Sequence, residues 1–265
     1  KAGTAANQIW HYGDMTMNPS QLYLSTIDPL AGDIARREGL GVEIAEFCTA
    51  INADDLFEET NASVARQIAG IPRRILHGPF NELFPCAIDP LARKLAAYRY
   101  AQALSLAQRY GARKLVLHGG YSPRLYYPCW YEEQSIAFWK EFLDTHPGDY
   151  EICLENVMEE SPESLLRIVT QVDDPRLRLC LDVGHVNCYS SLPASQWMAQ
   201  WGDALSHLHL HNNNASVDSH GGLSRGTLPM EEIIRGIAPR MTATLELIEI
   251  GDSIHWLKDN GLLKP

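Results

Sequence analysis

The chain has 265 residues, 45% hydrophobic and 21% charged, with 33 acidic against 22 basic residues and a formal charge of -11 when histidine is neutral. That balance belongs to a globular protein able to bury a core, and it excludes disorder and collagen-like repeats. It also removes any general attraction for phosphate backbones or anionic membranes, so nucleic acid is disfavoured as a partner, although bound divalent cations would invert the field in one cleft.

Short β-rich runs alternate with longer helix-patterned segments along the whole chain. Strands are predicted at residues 8–12, 41–47, 74–80, 114–119, 151–157, 177–183, 206–212 and 242–248. A helix is predicted over 89–110, where Leu91, Leu95, Tyr98, Ala101, Ala103, Leu104 and Ala107 form an apolar stripe and Gly111 closes the end. Ser161, Pro162 and Glu163 read as the cap, first-turn proline and early acid of the helix before the sixth strand. Eight strand and helix units with no linker between them predict one closed (β/α)8 barrel domain over residues 1–265. A doubly wound open sheet fits less well, because no glycine-rich phosphate loop follows the first strand.

No stretch approaches the roughly 18 consecutive apolar residues of a membrane span, and the N-terminal residues lack the pattern of a secretory leader. Cys48, Cys86, Cys129, Cys153, Cys180 and Cys188 show no C-x-x-C spacing, and Cys153 and Cys180 fall inside strand-like runs. Free thiols, these two buried, in a reducing cytoplasm are the expectation.

A (β/α)8 barrel keeps its chemistry at the C-terminal ends of its strands. Those ends carry His77, His118, Glu155, Asp182 with His185, His207 with His209 and His211, and Glu246; the loop after the seventh strand adds Asp218 and His220. Alternation puts Glu151, Cys153 and Glu155 on one face of their strand and Cys180 and Asp182 on one face of the next, both pointing inward. Any one of these has a bland explanation: a strand-end histidine is usually structural, and Asp182 or Glu246 alone would serve as a helix cap or ion-pair partner. Glu, Asp, His and Glu in phase on consecutive strand ends instead predict a metal site, and imidazole with carboxylate suits Zn, Mn or Fe better than Ca. His11, His146, His207, His211 and His255 keep a structural or supporting reading. The aromatic loop over 121–131, with Tyr121 and Trp130, is either a wall over a small polar substrate or packing on the barrel or a second subunit. Arg225 binds a substrate hydroxyl or phosphate, or is a solvated loop cation.

These residues resemble the xylose isomerase-like TIM-barrel superfamily, also called AP endonuclease family 2, which contains endonuclease IV and many sugar and sugar-phosphate isomerases and epimerases. Glu155, Asp182, His209 and Glu246 match the divalent-metal site of the isomerase branch. The three-zinc cluster of endonuclease IV would add His77, His118, His185, Asp218 and His220. Residues 10–17 and the glycine loop over 221–227 depart from the nuclease pattern. The resemblance implies a divalent cofactor, Zn or Mn, of one to three ions, and a small sugar or sugar-phosphate substrate. Glu155 and Glu246 would move the proton, and His185 would orient a substrate oxygen. The alternative it implies is multi-metal hydrolysis of a phosphodiester or phosphate; a barrel that binds without turnover is third. Assembly into a homo-oligomer is left open.

Overall fold

In the computed structural model, which describes residues 16–265, eight parallel strands close into a barrel in chain order. They are β1 (Leu22–Ser25), β2 (Gly41–Ile44), β3 (Arg74–His77), β4 (Lys114–His118), β5 (Glu151–Glu155), β6 (Leu177–Asp182), β7 (Leu205–Leu210) and β8 (Thr242–Leu245). From β2 onward each strand starts within one residue of its expected position and ends earlier, because the chain leaves the ladder at the mouth. The first strand is a correction. Residues 8–12 lie outside the described residues, and it is the run Leu22–Ser25 that closes the barrel, Tyr23 pairing with Gly41 on one side and Thr244 on the other. Four residues beside a turn carry too little periodicity to stand out in sequence.

Strands buried on both faces read as nearly continuous apolar runs. Leu76, Leu117, Leu154, Leu181 and Leu208 face the surrounding helices, while Tyr23, Ile75, Val116, Cys153 and Cys180 form a separate apolar cluster inside the barrel. Inward positions recur every second residue. Two residues beyond Ile75, Val116, Cys153 and Cys180 stand His77, His118, Glu155 and Asp182, and two beyond His207 and Thr244 stand His209 and Glu246. The apolar plug is therefore the floor of the polar cluster.

The helix Pro90–Arg109 is capped by Asp89, which accepts the Leu91 N–H at 2.8 Å, and Gly111 closes it at φ +68°. Its buried face runs through Ala96, Tyr100, Ala103, Leu104 and Ala107, while Leu91, Leu95 and Tyr98 face outward. The N-terminal half of the predicted stripe is thus on the wrong side, because stacking of Tyr100 on Trp139 fixes which face turns inward. The helix Glu163–Val172 starts with Pro162 at the capping position and no side-chain cap. All six cysteines are free, with Cys86, Cys153 and Cys180 buried. No helix among the described residues is long and apolar enough to cross a membrane.

Candidate metal centre

Glu155, Asp182, His209 and Glu246 meet at the mouth, each offering a donor atom within 4.8 Å of the others. His209 Nδ1 lies 3.0 Å from Glu246 Oε2, 3.4 Å from Glu155 Oε1 and 3.8 Å from Asp182 Oδ2. All four residues are buried. On one side His77 Nε2 and His118 Nε2 approach Glu155 Oε2 at 3.3 and 3.6 Å. On the other, His185 Nε2 and His220 Nε2 each lie 3.2 Å from Asp218 Oδ2. Every metal-ligand candidate from the sequence therefore lies in one continuous cluster.

Local structure explains the spacings. Asp182 ends β6 and caps the helix Val183–Tyr189, its Oδ1 accepting the His185 N–H, which turns His185 back over the mouth. Asn156 ties β5 to β6 through Asp182 O (3.1 Å) and the Asp182 N–H (2.9 Å). His220 sits at φ +46°, a left-handed backbone that a non-glycine residue seldom adopts. Reciprocal backbone bonds of 2.9 Å between Asn212 and Gly221 hold it there.

The histidines are oriented from behind. His77 Nδ1 donates to Gly78 O at 2.9 Å, His185 Nδ1 to Asn156 O at 2.8 Å and His220 Nδ1 to Glu246 O at 3.0 Å, while His209 Nε2 faces Glu43 Oε1 at 3.0 Å. These bonds assign the tautomers and aim the other nitrogen into the cluster, as the outer partners of metal-binding histidines do. Glu43 is a residue the sequence reading missed. It lies buried on β2 and also accepts from Thr244 and from His207 Nε2 at 3.1 Å. Its signal was an acid in an otherwise apolar strand, Gly41–Ile44.

Charge is poised accordingly. Burial works against ionised Glu155, Asp182 and Glu246, yet the facing histidines hold all three carboxyls below their usual range. Burial likewise opposes charge on His185, but Asp182, Asp218 and Glu155 lift it well above normal; Asp218 raises His220 to about 9 against the same penalty. Burial prevails at His118, which falls to about 4. His118 is also stacked on Phe80, with ring centroids 4.2 Å apart.

The cluster fits a cation. Glu155 Oε2, His209 Nδ1, His211 Nδ1 and Asp218 Oδ1 are buried with no hydrogen-bond partner, although facing groups stand close by. Buried lone pairs turned toward one another are costly unless something positive lies between them. Carboxylates with imidazoles are the donors Zn2+ and Mn2+ accept.

The remaining candidates are engaged elsewhere. The Arg225 guanidinium is exposed and paired with Asp252 at 3.0 Å. Trp130 Nε1 donates to Cys86 O at 2.9 Å, and Tyr121 packs on Tyr131, whose hydroxyl meets buried Glu159 at 3.1 Å. Tyr121 and Tyr126 of the aromatic loop pack against the core, while Leu125 and Tyr127 face outward.

A family model described as xylose isomerase-like TIM barrel matches residues 36–259. The chain belongs to that family. Among curated relatives, the uncharacterized protein MJ1311 of Methanocaldococcus jannaschii is 29% identical over 172 residues, which are 60% of this chain and 58% of that protein. This xylose isomerase-like barrel thus spans under two thirds of that relative. Among solved structures, the TTHB071 protein of Thermus thermophilus, soaked with ZnCl2, is 25% identical with a TM-score of 0.73, covering 91% of this chain and 97% of that one. A D-tagatose 3-epimerase-like protein shares the fold at 22% identity and a TM-score of 0.68, covering 91% and 96%.

Proposed function

We propose that the protein is a divalent-metal-dependent isomerase or epimerase of a small sugar or sugar phosphate, in which Glu155 and Glu246 transfer the proton. The observation that carries this reading is the convergence of those two carboxylates on His209 Nδ1, at 3.4 and 3.0 Å, from different strand ends. A shift of hydrogen between neighbouring carbons, or inversion at one carbon, needs one group to take a proton and one to return it. Both carboxyls are held ionised in the resting site, as the accepting group must be. A cation held by Glu155, Asp182, His209 and Glu246 would polarise the substrate oxygen beside the reacting carbon, or a phosphoryl oxygen in the second reading below. Glu43 keeps His209 in the tautomer that leaves Nδ1 free, and buried Asp182 contributes a carboxylate without being positioned for proton transfer. The zinc-soaked and epimerase-like relatives of this fold support the same class.

A second reading, hydrolysis of a phosphoester, is favoured by one observation: the flanking sets around Glu155 Oε2 and Asp218 could hold further cations beside the central one. The acidic balance of the chain opposes an extended nucleic-acid substrate. The two readings separate when protein loaded with Mn2+ or Zn2+ is incubated with ketoses such as D-fructose and D-tagatose, and separately with a phosphodiester. A new sugar without phosphate release supports the isomerase reading. Phosphate ester cleavage with inert sugars overturns it.

A further inference from the structure

The end of the barrel opposite the mouth holds a charge that the central site does not touch. Lys114 begins β4, four residues and roughly 13 Å of strand before His118, and its side chain is only 16% exposed. The ammonium bonds Ser206 O at 3.2 Å, Ser206 Oγ at 3.0 Å and Thr242 Oγ1 at 2.9 Å, and it pairs with Glu151 Oε1 at 3.1 Å. From there hydrogen bonds run unbroken to the mouth. Thr242 Oγ1 lies 2.7 Å from His207 Nδ1, His207 Nε2 lies 3.1 Å from Glu43 Oε2, and Glu43 Oε1 lies 3.0 Å from His209 Nε2. Glu43, His207 and His209 are all buried.

The direction of these bonds is set from the lysine end. An ammonium donates and cannot accept, so Thr242 Oγ1 receives a proton from Lys114 and turns its own elsewhere. His207 Nδ1 is the near acceptor; the other, Ser206 O, is 3.5 Å away and already takes a bond from Lys114. With Nδ1 accepting, a neutral ring carries its proton on Nε2 and gives it to Glu43. The Thr244 hydroxyl, 3.0 Å from that nitrogen, gives its proton to Glu43 as well and so presents only an acceptor to the ring. Glu43 is thereby left to accept from His209 Nε2, and His209 keeps Nδ1 bare toward the cluster.

We propose that Lys114 is a positioning residue for the central metal site: through Thr242, His207 and Glu43 it fixes the tautomer of His209, and with it the donor atom offered at the far end of the barrel. The inference rests on the metal-holding reading of that site proposed above. Without the ammonium, Thr242 is free to turn its proton to Ser206 O and to accept from His207 Nδ1. The ring then either meets the Glu43 carboxylate with a lone pair or takes a second proton and draws the carboxylate toward itself. In both cases the acceptor behind His209 is weakened, as when an outer partner of a metal-binding histidine is lost.

Long-range proton–nitrogen NMR of the histidine rings in the metal-free full chain, with chelator competition for zinc, tests this on the parent, Lys114→Met, Thr242→Val and Thr242→Ser. In the parent, His207 Nδ1 should carry the shift of an unprotonated nitrogen. Lys114→Met should bring a proton to that nitrogen and weaken zinc binding roughly 10-fold, the lower end of what loss of an outer partner costs. Thr242→Val should weaken zinc similarly, and adding Lys114→Met to it should cost nothing more, because the link is already cut. Thr242→Ser keeps the hydroxyl and should bind zinc as the parent does. A protonated His207 Nδ1 in the parent overturns the inference. So does Lys114→Met that loses stability in urea while keeping the parent's His207 spectrum and zinc affinity, Thr242→Val with unchanged zinc affinity, or losses that add in the double variant. Each of these leaves the proposed function standing, whereas parent protein that binds no zinc overturns both.

Discussion

At the scale of single residues, Glu43 and Glu159 show how burial is put to different uses. Glu43 reaches both His207 and His209, with its carboxyl held far below the normal range; burial opposes this, and the two histidines outweigh it. Replacing it by Gln removes the charge that fixes the His209 tautomer while keeping the shape. Zinc or Mn2+ affinity at the central position should then fall roughly 10- to 100-fold, as read by chelator competition. Unchanged affinity would show that His209 is oriented by packing alone. Glu159 accepts the Val157 N–H at 2.7 Å and the Tyr131 hydroxyl, and burial raises its pKa to about 7 from 4.5. The unfolded chain releases that proton near 4.5 while the folded chain keeps it until about 7, so the folded state binds more protons in between. Stability contributed by Glu159 is complete below 4.5, is lost as pH rises to about 7 and changes no further above it. Glu159→Gln cannot ionise, and its stability relative to the parent should rise by up to about 3 kcal/mol across that window in urea titrations. Parallel curves would mean that Glu159 ionises as an ordinary surface acid does.

At the scale of elements, the strand ends carry the site, and Gly184, two residues after Asp182, leaves room for the His211 ring. Gly184→Ala drives a methyl into the His211 ring and should cost about 1–3 kcal/mol by overpacking, read from urea titrations. An unchanged urea midpoint would show that the ring moves aside without cost. From β2 to β8, strand positions and inward-facing residues were legible because parallel strands buried on both sides keep apolar runs of one length and a strict alternation. β1 was not, since Leu22–Ser25 is short and its identity depends on closing the ring against β8. The same limit hid Glu43. It acts across the barrel on His209, far away in sequence, and no local pattern encodes that distance. The pairing of Arg225 was equally illegible, because its exposed partner Asp252 comes from the last helix, Gly251–Asp259, beyond β8.

For the whole molecule, the polar cluster is a store of repulsion and of displaced protons that a metal relieves. His185 and His220 are held protonated at neutral pH by their carboxylates despite burial, and a bound cation must displace those protons. Zinc affinity should therefore rise from pH 6 toward 9, with proton release visible when calorimetry is repeated in buffers of different ionisation heat. Metal at 100 times its dissociation constant should add about 2.7 kcal/mol to unfolding stability, and EDTA should remove it. A melting temperature indifferent to zinc and chelator would leave the orphaned donors of the mouth without an explanation. The central claim, proton transfer at carbon between Glu155 and Glu246, is tested most directly by hydrogen exchange into substrate. Metal-loaded protein incubated with a ketose it turns over, in deuterated water, should place deuterium on the carbon beside the carbonyl, detected by NMR. Glu246→Gln, which keeps an oxygen donor but cannot carry the proton, should abolish that exchange while retaining most of the substrate affinity. Sugar turnover without any deuterium in the product, or full exchange by Glu246→Gln, would contradict the account.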